Sequence, residues 1–331
     1  MRRRWTLLAL LCLIAVTLLA ACGNSSEEST GATAEEDSET VEETEENSSE
    51  ESSENESPSS YTVEHLYGET EVPANPEKVV VLSHVSWEGS LVSVGVEPYA
   101  VMAYDNEFPP HLTEELENVM ALPYSDEINP EEIVQLDPDL LIISDRYQPL
   151  YEQLSDSIPT VVVEVGGDWR DDHLKVTEAV GKLEEGQKVI DELEAEAEDI
   201  GERIREAVGE ETFMAVSINK QDIRVYGRNN HATNALLFDD LKLTPAENIP
   251  DDFGENISIE GLVKYNPDHI IDVTYFNSGE FYDNVTQGEV WNGLNAVKED
   301  NVHTLTTTWG FWDPIERQKG LKEIENLLLG E

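Results

Sequence analysis

Apolar residues run along this chain in two rhythms. Short continuous runs at 79–82, 98–103, 140–143, 158–165, 213–218 and 302–305 have the length and aliphatic content of strands buried on both faces. Between them the apolar positions recur every three or four residues, the spacing of helices that cover a sheet. One such stretch is 87–94, which Gly95 closes as a helix end prefers. Others are 234–241 and the terminal 314–329. Alternating short strands and helices imply α/β lobes rich in parallel strands. The stretch 184–208 breaks this alternation. It is rich in Glu, Ala, Lys, Arg and Leu, and Val189, Leu193, Ala197, Ile200 and Ile204 mark one face. At about 1.5 Å per residue it would span roughly 35–40 Å, about the height of a small domain. The strand–helix alternation restarts directly after it, so it is expected to act as a stiff spine between two lobes.

A long-period repeat supports the two-lobe reading. INPEEIVQLDPDLLII at 128–143 and ISIEGLVKYNPDHIID at 257–272 match at an offset of 129. Asn129 pairs with Ser258, Glu131 with Glu260, Ile133 with Leu262, Pro138 with Pro267 and Asp139 with Asp268. In the first copy Asn129 is a natural N-cap, Pro130 a natural first helical residue, and Glu131 sits where the helix dipole favours an anion. Each copy then stops its short helix at Pro-Asp and enters a strand. The expected organisation is a leader at 1–21, a modified cysteine and acidic tether at 22–60, a first lobe at 61–170, the helical spine at 171–208 and a second lobe at 209–331.

Charge and the N-terminus set the location. Arg2, Arg3 and Arg4 precede an apolar run and small residues ending at Cys22, the layout of a secretory signal that is short for a membrane span. Leu19-Ala20-Ala21-Cys22 has the form of a bacterial lipobox, in which the thiol of Cys22 receives a diacylglyceryl group. Cys12 is lost with the leader, so the mature monomer could form no internal disulfide. Residues 24–60 hold fourteen acidic side chains and no Lys or Arg. Such a segment cannot bury enough apolar surface to offset its ordering entropy, and it reads as a disordered tether. Beyond it remain 57 acidic and 17 basic residues, a net charge of −40, which argues against nucleic acid and anionic lipid as partners. The excess suits surface solvation in a saline or alkaline habitat. The chain carries no nucleophile elbow, no HExxH, no phosphate-cradling glycine loop and no cysteine nucleophile, so an enzyme is not expected.

Four phrases in order resemble the substrate-binding lipoproteins of iron–siderophore and vitamin B12 ABC importers, the helical-backbone type. They are VPANPEKVVVL at 72–82, INPEEIVQLDPDLLI at 128–142, ISIEGLVKYNPDHII at 257–271 and VWNGLNAVKEDNVHTL at 290–305. The resemblance implies a class III periplasmic-binding-protein fold, two Rossmann-like lobes joined by a long backbone helix with a ligand cleft between them. It implies a ferric siderophore as ligand, iron held by the siderophore rather than by protein atoms, no resident cofactor, and a monomer that docks on an ABC permease dimer. Glu131 and Glu260 match the glutamates that meet permease arginines in that family.

Ligands of α/β lobes collect outside the carboxyl ends of the strands. Read this way, the candidates are His84 and Trp87 after the first strand, Tyr104 after the second and Arg146 after the strand at 140–143. In the second lobe they are Arg224, Arg228 and His231 about the Tyr226-Gly227 turn, Tyr275, and Trp309 with Trp312 after the last strand. Arginine offers planar donors to chelate oxygens and aromatic rings offer stacking area. The WGFWDP run at 309–314 is similar to the hydroxamate-binding branch, whereas RNNHATN at 228–234 departs from it, so the ligand class stays open. Haem or a cobalamin in the same fold is the alternative, with Tyr275, Tyr104 or His231 as possible axial ligands.

Overall fold

The computed structural model describes residues 59–165, 168–219, 221–229, 231–274, 279–306, 310 and 312–330. The leader, Cys22, the acidic segment to residue 58, Tyr275 and Trp309 lie outside the described residues. The first elements are ones the apolar pattern did not announce. Strands β1 (Ser60–His65) and β2 (Gly68–Pro73) pair as an antiparallel hairpin that buries Val63 and Val72. The hairpin is fixed to the first lobe by Thr70 Oγ1, which donates to the Thr160 carbonyl at 2.9 Å.

The first lobe is a five-stranded, wholly parallel sheet. Its strands are β3 (Val79–Leu82), β4 (Ala100–Ala103), β5 (Met120–Pro123), β6 (Leu140–Ser144) and β7 (Thr160–Val163). They lie in the order β5-β4-β3-β6-β7. Helices α1 (Trp87–Ser93), α2 (Pro130–Leu136), α3 (Gln148–Leu154) and α4 (Trp169–Ala179) cover it. Alternate residues serve opposite cores: Val79 and Val81 pack with Trp87 and Leu91, while Val80 and Leu82 pack with Ile133 and Leu150. The chain's direction across the sheet reverses between β3 and β6, the switch point at which such sheets open a crevice.

A turn through Gly181 at φ +72° separates α4 from α5 (Leu183–Val208), so the stretch 171–208 contains the end of one helix and the whole of another. The second lobe then runs β8 (Thr212–Ile218), β9 (Ile223–Tyr226), α6 (Ala232–Asn234), β10 (Thr244–Pro245), β11 (Gly254–Ile257) and β12 (His269–Asp272). Three short helices follow, α7 (Glu280–Thr286), α8 (Glu289–Asn292) and α9 (Asn295–Lys298), and then β13 (Val302–Thr304) and α10 (Pro314–Leu329). The sheet order is β11-β9-β8-β12-β13, with β10 beside β8. Because β9 and β11 run antiparallel, this lobe is mixed where the first is purely parallel. The helix expected at 234–241 is a π-helical stretch, Ala235–Asp240, which continues from α6.

The repeat now has a physical meaning. In each lobe the Pro-Asp aspartate clamps the start of the neighbouring central strand. Asp139 accepts the Glu77 and Lys78 amides at 3.0 and 2.9 Å, just before β3. Asp268 accepts the Thr212 amide at 2.9 Å, at the start of β8. Asp137 and Asn266, again 129 apart, both take left-handed backbone to end the preceding helix. The two copies differ in one respect: α2 is α-helical, whereas its counterpart Ile259–Lys264 is a 3-10 helix. Asn129 caps α2 by accepting the Glu131 amide at 3.0 Å, a bond worth about 1 kcal/mol, and Ser258 makes no such cap bond.

The spine is packed along its length. Ile190, Leu193, Ala197, Ile200 and Ile204 of α5 bury themselves with Phe213, Ala215 and Ile271 of the second sheet and with Leu321 and Ile324 of α10. Helix α10 serves both lobes, since Trp312 and Ile315 at its start pack on the first lobe's core. Its N-cap, Asp313, accepts the Ile315 and Glu316 amides at 2.9 and 3.0 Å through Oδ1 and faces His111 Nε2 at 2.7 Å through Oδ2. Gly89 of α1 permits this approach, because a Cβ there would stand 2.3 Å from Asp313 Oδ1. A second junction forms where Arg170 of α4 and Arg317 of α10 both bind Asp240, with Trp169 under the two guanidinium groups. Helices α4 and α5 touch where Gly186 leaves room for Thr177, whose Oγ1 would lie 2.3 Å from an added Cβ. Gly186→Ala should therefore overpack this contact and destabilise the protein by about 1–3 kcal/mol in urea unfolding, with no change of secondary structure by circular dichroism.

Candidate functional site

A cavity of about 410 Å³ lies between the lobes, within the size range of small-ligand sites. It opens at the carboxyl ends of the strands. Ser83 and His84 follow β3, Tyr104 follows β4 and Tyr124 follows β5. Across from them stand Asn219 after β8, Tyr226 at the end of β9 and Val273 after β12. His84 marks the switch point itself, with Nδ1 3.4 Å from Ser144 Oγ at the end of β6. Tyr104 and Tyr124 form an exposed aromatic pair on the first lobe, ring centres 5.7 Å apart. His231 centres an aromatic group on the second lobe, 4.5 Å from Tyr226, 5.0 Å from Phe253 and 5.6 Å from Trp312. Its Nδ1 accepts the Thr233 amide at 3.2 Å, so the neutral ring carries its proton on Nε2.

Of the residues expected at the cleft, His84, Tyr104, His231 and Trp312 line the cavity. Trp87 does not, and that expectation is corrected. As the first residue of α1 it turns into the core, fully buried, and its Nε1 donates to Asp172 at 3.2 Å. The arginines stand at the edge, each already engaged. Arg146 donates to Tyr124 Oη at 3.0 Å and pairs with Asp126 at 3.3 Å. Arg224 donates to Asn256 at 3.0 Å and lies over the Phe253 ring. Arg228 faces Asp251 at 3.9 Å. Among the described residues no Lys or Arg lines the cavity. Residues the sequence reading missed include Glu88, Met102 and Tyr124 of the first lobe and Ser217, Asn219 and Val273 of the second. Tyr124 follows an edge strand, MALP, too short and too exposed to announce itself, whereas Glu88 reads as an ordinary polar residue of a helix.

The middle of the chain, residues 85–308, matches the family model described as periplasmic binding protein. The chain belongs to the periplasmic binding protein family. It is 28% identical over 314 residues to the probable siderophore-binding lipoprotein YfiY of Bacillus subtilis, covering 88% of each chain. It is 25% identical over 330 residues to the iron(3+)-hydroxamate-binding protein FhuD of the same organism, covering 97% of this chain and 96% of the relative. The crystal structure of the petrobactin-binding protein YclQ from Bacillus subtilis superposes with a TM-score of 0.69 at 23% identity, over 82% of this chain and 99% of that one. The fold is thus that of the helical-backbone, class III binding proteins, two lobes on a long helix.

Family membership directs attention to the two short helices of the repeat. Glu131 and Glu260 each occupy the first turn of their helix, and both side chains are exposed. Three residues further on, Val134 and Val263 are 52% and 60% exposed, again 129 apart. One described group of side chains has metal-binding composition: His111, Asp313 and Glu316, all buried, with ligand atoms within 4.8 Å of one another. Both oxygens of Asp313 are already used, in capping α10 and in facing His111, so the group acts as the fastening between the lobes.

Burial disfavours the charged forms of three cleft groups, His84, Glu88 and His231. Desolvation, with Arg224 adding to it, lowers the His231 imidazole to about 4. Desolvation and then Arg146 lower His84. Glu88, sealed beneath the cavity near Asp313, is pushed up from 4.5 to about 8, chiefly by desolvation. His111 moves the other way from most buried imidazoles: desolvation acts to lower it, but the charge and hydrogen bond of Asp313, with Glu316 adding to them, raise it. A carboxyl raised on folding contributes stability that is complete below its unfolded value and is lost as pH climbs to the folded value. For Glu88 that window runs from pH 4.5 to about 8. The variant Glu88→Gln removes this titration while keeping the side chain's size. Its unfolding free energy in urea should gain progressively on the wild type between these pH values and level off above them.

Proposed function

We propose that the protein is an extracytoplasmic substrate-binding lipoprotein, anchored through a lipid on Cys22, that captures a ferric siderophore between its lobes and delivers it to an ABC permease for iron uptake. The observation that carries this reading is the cavity itself. Neutral donors and aromatic faces converge on it from the strand ends of both lobes, the surface a compact chelate with outward carbonyls and rings would need. The names of the relatives agree, a siderophore-binding lipoprotein and an iron(3+)-hydroxamate-binding protein among them. Iron is cargo held by its chelator, and no protein side chain need coordinate it. The close packing of α5 and α10 between the lobes favours a small closing motion over a wide hinge.

Delivery needs a surface that a symmetric permease dimer can read, and the repeat supplies one. Glu131 with Val134 and Glu260 with Val263 present the same carboxylate-plus-aliphatic pair on the two lobes. An exposed ion pair contributes about 0.2–1 kcal/mol and is screened by salt, so the carboxylates set register while each valine adds apolar contact. A monomer presents both pairs at once. The double variant Glu131→Ala/Glu260→Ala should abolish iron uptake by cells while leaving ligand quenching of tryptophan fluorescence unchanged. Normal uptake by that variant would remove the docking assignment.

A further inference from the structure

The two histidines of the cleft differ in what fixes their protons. His84 Nδ1 lies 3.4 Å from the Ser144 hydroxyl, which can donate or accept, so either tautomer of that ring is served. His231 has no such freedom. Its Nδ1 accepts the Thr233 amide at 3.2 Å, and a backbone N–H can only donate. A proton on Nδ1 would point at the amide hydrogen and leave the start of α6 without its cap. Burial, with Arg224 adding to it, lowers this imidazole to about 4, so the ring is neutral and its single proton sits on Nε2. Among the described residues that Nε2 has no hydrogen-bond partner, and the residue lines the cavity.

The mount is fixed as well as the proton. Tyr226, Phe253 and Trp312 stand around the ring at 4.5, 5.0 and 5.6 Å. The Phe253 loop is itself stapled to the Tyr226-Gly227 turn. The Gly227 amide donates to the Phe253 carbonyl at 3.1 Å, and the Arg228 amide to the Pro250 carbonyl at 2.8 Å. A donor whose proton and direction are set before the guest arrives loses little freedom on binding.

We propose that His231 is a specificity-determining donor of the cleft: its Nε2–H bonds an outward-facing oxygen of the guest, and the ring ligates no metal. This rests on the reading of the cleft as a ferric-siderophore site. A metal would need the Nε2 lone pair, and freeing it moves the proton to Nδ1 and breaks the Thr233 bond. An oxygen-rich chelate can accept from this N–H. A haem iron in search of an axial imidazole meets a hydrogen instead.

The test reads the tautomer in protein carrying 15N-labelled histidine, by two-bond 15N–1H correlation, with His231→Asn to assign the signal. Asparagine keeps the helix cap and withdraws the N–H from the cleft. The guests are ferrichrome, enterobactin and citrate, loaded with gallium(III) for the spectra, a diamagnetic ion of iron's charge, and with iron(III) for tryptophan quenching. The free protein should show the Nε2–H tautomer, and any complex that binds should leave it in place. His231→Asn should weaken that complex about 10-fold, the scale of one hydrogen bond at a desolvated site, with little change of Tm. Hemin titration should give the same Soret spectrum in the wild type and the variant. With a complex bound, an Nδ1–H tautomer, an unchanged Kd in the variant or a Soret band that depends on His231 would overturn the proposal and leave the siderophore reading standing. Quenching by none of the three ferric complexes, with the protein folded by circular dichroism, would overturn the siderophore reading, and the guest contact with it.

Discussion

The carboxylate of Asp313 joins the two halves of this molecule. One oxygen caps α10, which lies against the second lobe and the spine, and the other meets His111 of the first lobe. An aspartate in this position is costly to bury, and it is held by three partners at hydrogen-bond distance. Glycine at position 89 is required for it to approach α1 at all. The Asp240 junction with Arg170 and Arg317 repeats the principle one turn further along α10. With the lobes fastened at these points and by α5, the separation of the strand ends is fixed, and so is the size of the cleft they enclose.

The same fastening shapes the electrostatics. Glu88, at the cavity wall, shares its surroundings with Asp313 and His111, and it holds its proton chiefly because burial strips water from its anion, with Asp313 adding to the effect.

Much of this was legible in the sequence, for reasons that individual residues make plain. The Pro-Asp pairs were readable because Asp139 and Asp268 serve the backbone directly, a role few other side chains can fill. Asn129 and Pro130 announced a helix start because capping is local chemistry. The hairpin at 60–73 stayed hidden because it buries little beyond Val63 and Val72 and presents polar residues elsewhere. Position along the chain suggested that Trp87 faces the cleft, but direction from a helix start is set by packing, and Asp172 offered its indole a partner inside. The arginines show the same limit. Their residue type suits chelate oxygens, yet where a guanidinium ends up depends on carboxylates and amides distant in sequence, such as Asp251 and Asn256.

That α10 belongs to both cores has a consequence for how the chain acquires its structure. Trp312 and Ile315 complete a hydrophobic cluster whose other members, from Val63 to Val180, precede the spine. The first lobe thus has all its strands long before it has all its contacts. A polypeptide emerging amino-end first would leave that lobe with an open seam until nearly the last residue had appeared, and its assembly would finish in a single late closure that locks both lobes at once.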